Sequence, residues 1–468
     1  MLVSSICGSP KPFFFMLERL TQGKYQWRLF VFIGCGWAMD ICLMHAVTVI
    51  GIPLALEFNL ESSQITRITA YLLSGMFLGA SILGYLSDVY GRRIPYLASL
   101  LIAGISAIIT SASPNYTFIC IGSAALGVGI GANIPIAGTL FLEFLPTQNQ
   151  SLLTLLSTFL GIGQLITASL AWIFLPRISC SLVLDCPLGS NYGWRILLLS
   201  VGAMTLSLLC LTILFGALEE TPRFLISKEM YLEAEIVLNN VAKFNGKEQN
   251  FADTHEKKDL DVLKDILSFA KRIERLFNPE WRLTTSLIWT IYTTVAIGNF
   301  MIFLFLPKFL KNGGESLSLS NTFRNFFIAS LPPIFGPVLG MYAADSFLGR
   351  KYSMTLASIG CGAALYLFTI SKSSTWQLIA TCIAGTLRMI LYSVLFTYAP
   401  EVFNTDIRGT AVGVASALGR ISGSFAPILT GILIEIELKL PLFVASIFFF
   451  ATGVCMVMLP KETRPCKQ

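Results

Sequence analysis

Gly84-Tyr85-Leu86-Ser87-Asp88-Val89-Tyr90-Gly91-Arg92-Arg93 is the stretch that decides the fold. Strong apolar runs lie on both sides of it. A carboxylate at a helix end, a turn-forming glycine and two cations close into a charge clasp. A looser copy follows far along the chain: Gly340-Met341-Tyr342-Ala343-Ala344-Asp345-Ser346-Phe347-Leu348-Gly349-Arg350-Lys351. Two clasps at matching places among apolar runs mark an internal duplication, as in repeat-built membrane carriers.

Working outward, runs of bilayer-spanning length recur. They fall at about 28–55, 66–87, 94–112, 116–140, 151–175 and 194–216, and then at 283–306, 323–344, 353–370, 375–398, 409–433 and 441–459. The first clasp joins spans 2 and 3, and the second joins spans 8 and 9. The expected fold class is an all-α membrane protein with twelve transmembrane helices in two pseudo-symmetric six-helix bundles. Residues 1–27 form an N-terminal segment, 28–216 the first bundle, 217–282 a central loop, 283–459 the second bundle and 460–468 a tail. Composition agrees: of 468 residues, 54% are hydrophobic and 13% charged, and the mean hydropathy is +0.70. A water-soluble domain needs more charge to cover its surface. Span 1 lacks the small-residue cleavage site of a secretory signal and is expected to be retained.

Orientation follows from lysine and arginine, which concentrate in cytoplasmic loops. With the N-terminus cytoplasmic, 23 of the 33 fall inside, 8 outside and 2 within spans. Both termini are therefore expected in the cytoplasm. The net charge of +6 is spread over loops beside lipid headgroups and does not form a nucleic-acid patch. In the central loop, Ser227 to Phe244 reads as an amphipathic surface helix, with Leu232, Ile236, Val237 and Val241 at helical spacing. Asn115 and Asn149 begin glycosylation sequons, of which only the first falls outside. Cys180 and Cys186 share one outer loop, where a disulfide and free thiols are both open. No cofactor is expected. The 2 histidines and 11 cysteines form no metal-ligand spacing, and no phosphate-binding loop points to an ATP-driven pump or an enzyme.

The clasp resembles the signature of the major facilitator superfamily, G-x-L-x-D-x-x-G-R-R. Glu220-Thr221-Pro222-Arg223 after span 6, Pro400-Glu401 with Arg408-Gly409 after span 10, and Leu459-Pro460-Lys461-Glu462-Thr463 resemble its sugar-porter-like side. Gly23-Lys24-Tyr25-Gln26-Trp27 is similar to the synaptic-vesicle-protein-related branch and its fungal relatives. So are Gly129-Ile130-Gly131-Ala132-Asn133-Ile134-Pro135 with Glu143, and Ala417-Leu418-Gly419-Arg420. The chain departs from relatives at Ser123, where many carry arginine, and at Ala137 and Asn404. The resemblance implies a cytoplasmic gate of Gly84, Asp88, Gly91, Arg92, Arg93 and Glu143 in one half. Asp345, Gly349, Arg350, Lys351, Glu401 and Arg408 form its counterpart. Asp88 is expected to face Arg92 and the N-terminal end of helix 11, Glu401 to face Arg408, and Asp345 to face Arg350. Topology determinants at the lipid surface are the other reading.

The resemblance also places helices 1, 4, 7 and 10 around a central cavity. Asp40 lies near the middle of span 1, where a carboxylate costs roughly 2.5–3.5 kcal/mol on insertion scales. It is the candidate proton-coupling group, with a structural ion pair as the alternative. Arg388 in span 10 cannot neutralise itself and is expected to meet Asp40 or an acidic substrate. Arg420 in span 11 poses the same problem. Related organic-ion carriers use an arginine there, although bonding to backbone carbonyls would also satisfy it. Tyr292 and Asn299 share a face of span 7. Gln164, Trp37 near Asp40, and Tyr392 one turn after Arg388 complete the candidate substrate-binding set, with helix packing as the other role for each. His45 is assigned to packing. Gly127, Gly129 and Gly131 imply close helix contact, and Pro332, Pro333 and Pro337 imply kinks in span 8. The expected function is transport of a small organic solute, anionic or zwitterionic, together with protons, by a plasma-membrane monomer. A non-transporting sensor or partner-binding protein, or a passive facilitator, remains open.

Overall fold

The computed structural model describes residues 23–145, 152–179, 191–228, 230–246, 273–303, 306–312, 318–403 and 405–462. Cys180, Cys186 and the Asn149 sequon lie outside them. Twelve helices are long and apolar enough to cross a membrane. Spans 1 to 6 are Lys24–Phe58, Ser62–Tyr90, Arg93–Ser111, Tyr116–Glu143, Thr158–Ile178 and Tyr192–Leu214. Spans 7 to 12 are Arg282–Ile302, Leu319–Asp345, Gly349–Ile370, Ser374–Val402, Thr410–Ile436 and Leu440–Val457. Several run past the apolar stretches that announce them, because the helix continues into its polar ends. Span 5 starts later than expected, at Thr158, since Leu152–Leu156 is a separate short helix. The prolines of span 8 break it into Leu319–Ser330, a 3-10 turn at Pro332–Phe335, and Gly336–Asp345.

The two halves repeat one packing plan. Span 4 packs on spans 2 and 3, span 3 on 6, and span 5 on 1; likewise span 10 packs on 8 and 9, span 9 on 12, and span 11 on 7. The halves meet along two seams, span 2 against 11 and span 5 against 8. At the end away from the clasps the first seam is drawn close: a Cβ on Gly431 would abut the Thr66 hydroxyl. There Lys308 donates to Ser62 Oγ at 2.9 Å. Burial holds the Lys308 ammonium below the usual lysine range, against the opposing pull of Glu435.

Small residues let backbones touch without side chains between them. A Cβ on Gly75 or Gly79 of span 2 would strike the Ala124 or Val128 carbonyl of span 4. One on Gly127 or Gly131 would strike the Leu72 or Met76 carbonyl in return, while Gly129 faces Ala103 of span 3. Glycines four apart on both helices thus form one reciprocal ladder. A buried ion pair supports the far end of the first half: Glu57 accepts from Trp194 Nε1 at 2.6 Å and from Arg195 at 3.0 Å.

The central-loop helix is Tyr231–Phe244, preceded by a short helix Pro222–Ser227. Its packed stripe is Ala234, Val237, Leu238, Val241 and Ala242. Leu232 and Ile236, expected on that stripe, are 74% and 58% exposed; the smaller Ala234 and Ala242 permit closer approach on the adjoining side. Asn245 docks the helix on the first half, accepting from the Tyr25 N–H at 2.9 Å and donating to Gln26 Oε1 at 3.1 Å.

Gly127→Val tests the ladder. Its Cβ meets backbone of span 2 that no rotamer change can clear, so overpacking by about 1–3 kcal/mol is expected. The melting midpoint of the purified chain should fall, whereas Gly84→Ala, which meets open space, should leave it within error.

Candidate functional site

A cavity of about 260 Å³ lies where spans 1, 2, 4, 5, 7, 10 and 11 converge. Gln164, Tyr292, Asn299, Arg388, Tyr392 and Arg420 all line it. His45, assigned to packing from the sequence, lines it too, with its ring 6.3 Å from Phe326. Trp37 lies outside the lining: it is buried, with its ring beside Gly138. Its place three residues before Asp40 turns it toward span 4.

Arg388 is held by two amides rather than by Asp40. It donates to Asn299 Oδ1 at 3.1 Å and to Gln164 Oε1 at 3.3 Å, and Gln164 continues to Ser330 Oγ at 3.4 Å. The network ties spans 5, 7, 8 and 10, and so crosses between the halves. Asp40 is 1% exposed and stands behind the lining. Its Oδ1 accepts from Asn133 Nδ2 at 3.0 Å, its Oδ2 has no hydrogen-bond partner among the described residues, and the cation acting on it is Arg420. The expected Asp40–Arg388 meeting is not formed: Asp40 bonds Asn133, and Arg420 acts on it only at longer range. Asn133 on span 4 turns the carboxylate toward that side. Arg420 itself crosses the seam and donates to the Gly131 carbonyl at 2.5 Å.

The clasps are symmetric in chemistry. In the first half Arg92 bonds Asp88 and the Ser87 carbonyl, and lies 3.9 Å from Glu143. Glu220 accepts the backbone N–H groups of Arg92 at 2.8 Å and Arg93 at 3.1 Å. In the second half Arg350 pairs with Glu401 and feels the charge of Asp345. Glu462 accepts the N–H groups of Arg350 at 2.8 Å and Lys351 at 3.2 Å, and Lys351 Nζ donates to the Leu459 carbonyl. Each clasp is thus one arginine among three acids, with a carboxylate on a helix N-terminus. Gly91 and Gly349 turn the chain there at φ of 98° and 70°, a conformation side chains resist.

Two expectations change. Asp88 meets Arg92 as expected, but its side chain is 70% exposed and its described bonds stay within its own clasp rather than reaching helix 11. Glu401 serves Arg350, which starts span 9 beside the end of span 10. Arg408, expected to face Glu401, is half-buried, and its Nε has no hydrogen-bond partner among the described residues. Glu57, Asn133, Glu220 and Glu462 were missed as working residues. For the last two the signal was present: Glu220-Thr221 and Glu462-Thr463 follow spans 6 and 12 in parallel.

The twelve spans, the twofold packing plan and a cavity between the halves define the architecture of a two-bundle membrane carrier. The chain belongs to the Major Facilitator Superfamily, whose family model matches residues 29–427 and 325–467. It is 30% identical to the MFS siderochrome iron transporter 1 of Ceriporiopsis subvermispora, over 96% of this chain and 89% of that one. It is 25% identical to the niacin transporter NiaP of Acinetobacter baylyi, over 88% of each. With the synaptic vesicle 2-related protein of Xenopus laevis it shares 24%, over 96% of this chain and 80% of that one. In fold it is similar to the E. coli xylose transporter XylE in a partially occluded inward-open conformation. That match has a TM-score of 0.73 and 15% identity, covering 95% of this chain and 100% of that one.

The helix-end carboxylates can be weighed. Glu220→Gln and Glu462→Gln should each cost roughly 0.3–1 kcal/mol. Because they sit in separate halves, the double substitution should lower the melting midpoint by the sum of the single effects.

Proposed function

We infer that this chain is a secondary active transporter for a small organic anion or zwitterion, moved by alternating access and coupled to protons through Asp40. One observation carries the reading: Arg388 and Arg420 both line a cavity between the halves while, among the described residues, one carboxylate, Asp40, stands behind it. Walls that include Tyr292, Phe300, Tyr392 and Phe396 suit a ligand with an apolar body, and guanidinium groups suit its acidic end. The printed names of two relatives, a siderochrome iron transporter and a niacin transporter, are compatible with such a solute.

In this reading Arg388, Arg420, Asn299, Gln164, Tyr292 and Tyr392 hold the solute. Asp40 takes a proton from the outer side and, once neutral, weakens its hold on Arg420, which then turns to the solute. On returning the proton it recovers the arginine and expels the solute. The clasps, with Gly84, Asp88, Gly91, Arg92, Arg93 and Glu143 in one half and Asp345, Gly349, Arg350, Lys351, Glu401 and Arg408 in the other, brace the cytoplasmic ends. The excess of lysine and arginine on that face supports cytoplasmic termini, and a monomer in the plasma membrane suffices for the cycle.

Reconstituted vesicles offered organic acids, vitamins and amino acids, with and without an inward proton gradient, test the proposal. The wild-type chain should concentrate an organic acid only when the outside is more acidic. Asp40→Asn should lose gradient-driven accumulation and its pH dependence while keeping downhill exchange. Accumulation by Asp40→Asn equal to wild type would remove the proton assignment, and accumulation of cations or free sugars alone would remove the anion assignment.

A further inference from the structure

Arg420 meets a main-chain oxygen inside a continuous helix, where such oxygens are normally spent. A helical carbonyl accepts the N–H four residues on, and for Gly131 that residue is Pro135, which has no N–H. Span 4 remains helical from Tyr116 to Glu143 with Pro135 inside it. The Gly131 oxygen therefore lacks its usual helical donor and stands on the cavity wall, where a buried carbonyl needs another partner. Arg420 Nη1, arriving from span 11 in the other half, supplies the donor at 2.5 Å.

We propose that Pro135 is a positioning residue for Arg420: by withholding one backbone N–H it presents the Gly131 carbonyl as a fixed acceptor across the seam, and so sets where the guanidinium stands in the cavity. Two features of the same segment support this. Gly131 carries no side chain, and a Cβ there would strike the Met76 backbone, so span 4 lies against span 2 at this residue, beside the seam that span 11 shares with span 2. Asn133, two residues on, fixes the carboxylate that acts on Arg420. Besides Arg420, the titratable groups acting on Asp40 are Tyr96 of span 3 and Cys42 on its own helix; neither is a cation. Arg420 thus bonds a neutral acceptor, the Gly131 carbonyl, and feels at longer range the Asp40 carboxylate that Asn133 holds. The bond to Gly131 does not depend on the proton of Asp40, so it supplies the fixed point about which the rest of the guanidinium turns from the carboxylate to the solute.

That cavity role rests on the transport reading, but the proline's effect on Arg420 can be measured with no solute present. The full chain, purified in detergent, is compared with Pro135→Ala, which returns the N–H, and with lactic acid incorporated at 135. The latter gives an ester link with neither N–H nor ring. Each is melted with and without Arg420→Gln. Arg420→Gln should lower the midpoint by about 2 °C or more in the proline and ester chains, and by less than half as much in the alanine chain. An equal loss in all three overturns the proposal. So does an ester chain that behaves like alanine, because the ring and not the missing donor would then be responsible. A chain that folds with the ester but not with alanine supports the proposal; one that folds with neither overturns it.

Discussion

An ionised side chain at bilayer mid-depth must be given a partner or water, and this molecule meets that demand with five residues of one helix. Between Gly131 and Pro135, span 4 supplies the carbonyl that receives Arg420 and the amide that receives Asp40. Neither group is held only by its own half: Arg420 comes from span 11, and Asp40 from span 1 is acted on by that same arginine. Arg388 follows the same logic through Gln164 and Asn299. Polar contact at the centre therefore includes contact between the halves, through Arg420 with Gly131 and through Gln164 with Arg388 and Ser330.

The ends of the molecule solve a different problem. At the clasps an arginine is surrounded by acids from its own half, which makes each bundle rigid at that face without joining it to the other. Glycine ladders between spans 2 and 4 do the same along the membrane. Halves braced in this way, with polar joints at the centre and the far end among the described residues, suit rocking about a mid-membrane site. The far-end contacts include Thr66 against Gly431, Ser62 with Lys308, and the rings of Trp172 and Phe327 5.4 Å apart across the second seam.

Much of this was legible in the sequence. The duplicated clasp and the apolar runs were enough for twelve spans and two bundles, because lipid leaves a spanning chain few options. Arg388, Tyr292, Asn299 and Tyr392 were legible as cavity residues because each is polar on a helix expected at the centre, and Arg420 and Gln164 because each is a polar residue inside an apolar span. The pairings were not. Whether Asp40 turns to Arg388 or Arg420 depends on Asn133, a neutral residue whose role appears only when spans 1 and 4 are packed. The Gly131 carbonyl has no letter of its own, although the proline four residues later hinted at it. Trp37 and Leu232 were misplaced because helical spacing names a face without saying which neighbour it meets.

The central claim is that these charges line a chamber open to water between two bundles. Its most direct measurement is thiol accessibility in the full chain, its native cysteines replaced by alanine. Asn299→Cys and Ser416→Cys, both on the cavity wall, should react with a membrane-impermeant maleimide. Leu101→Cys, 44% exposed on the outer surface of span 3, should stay unlabelled in lipid. Inert cysteines at 299 and 416, or equal labelling at all three positions, would contradict the account.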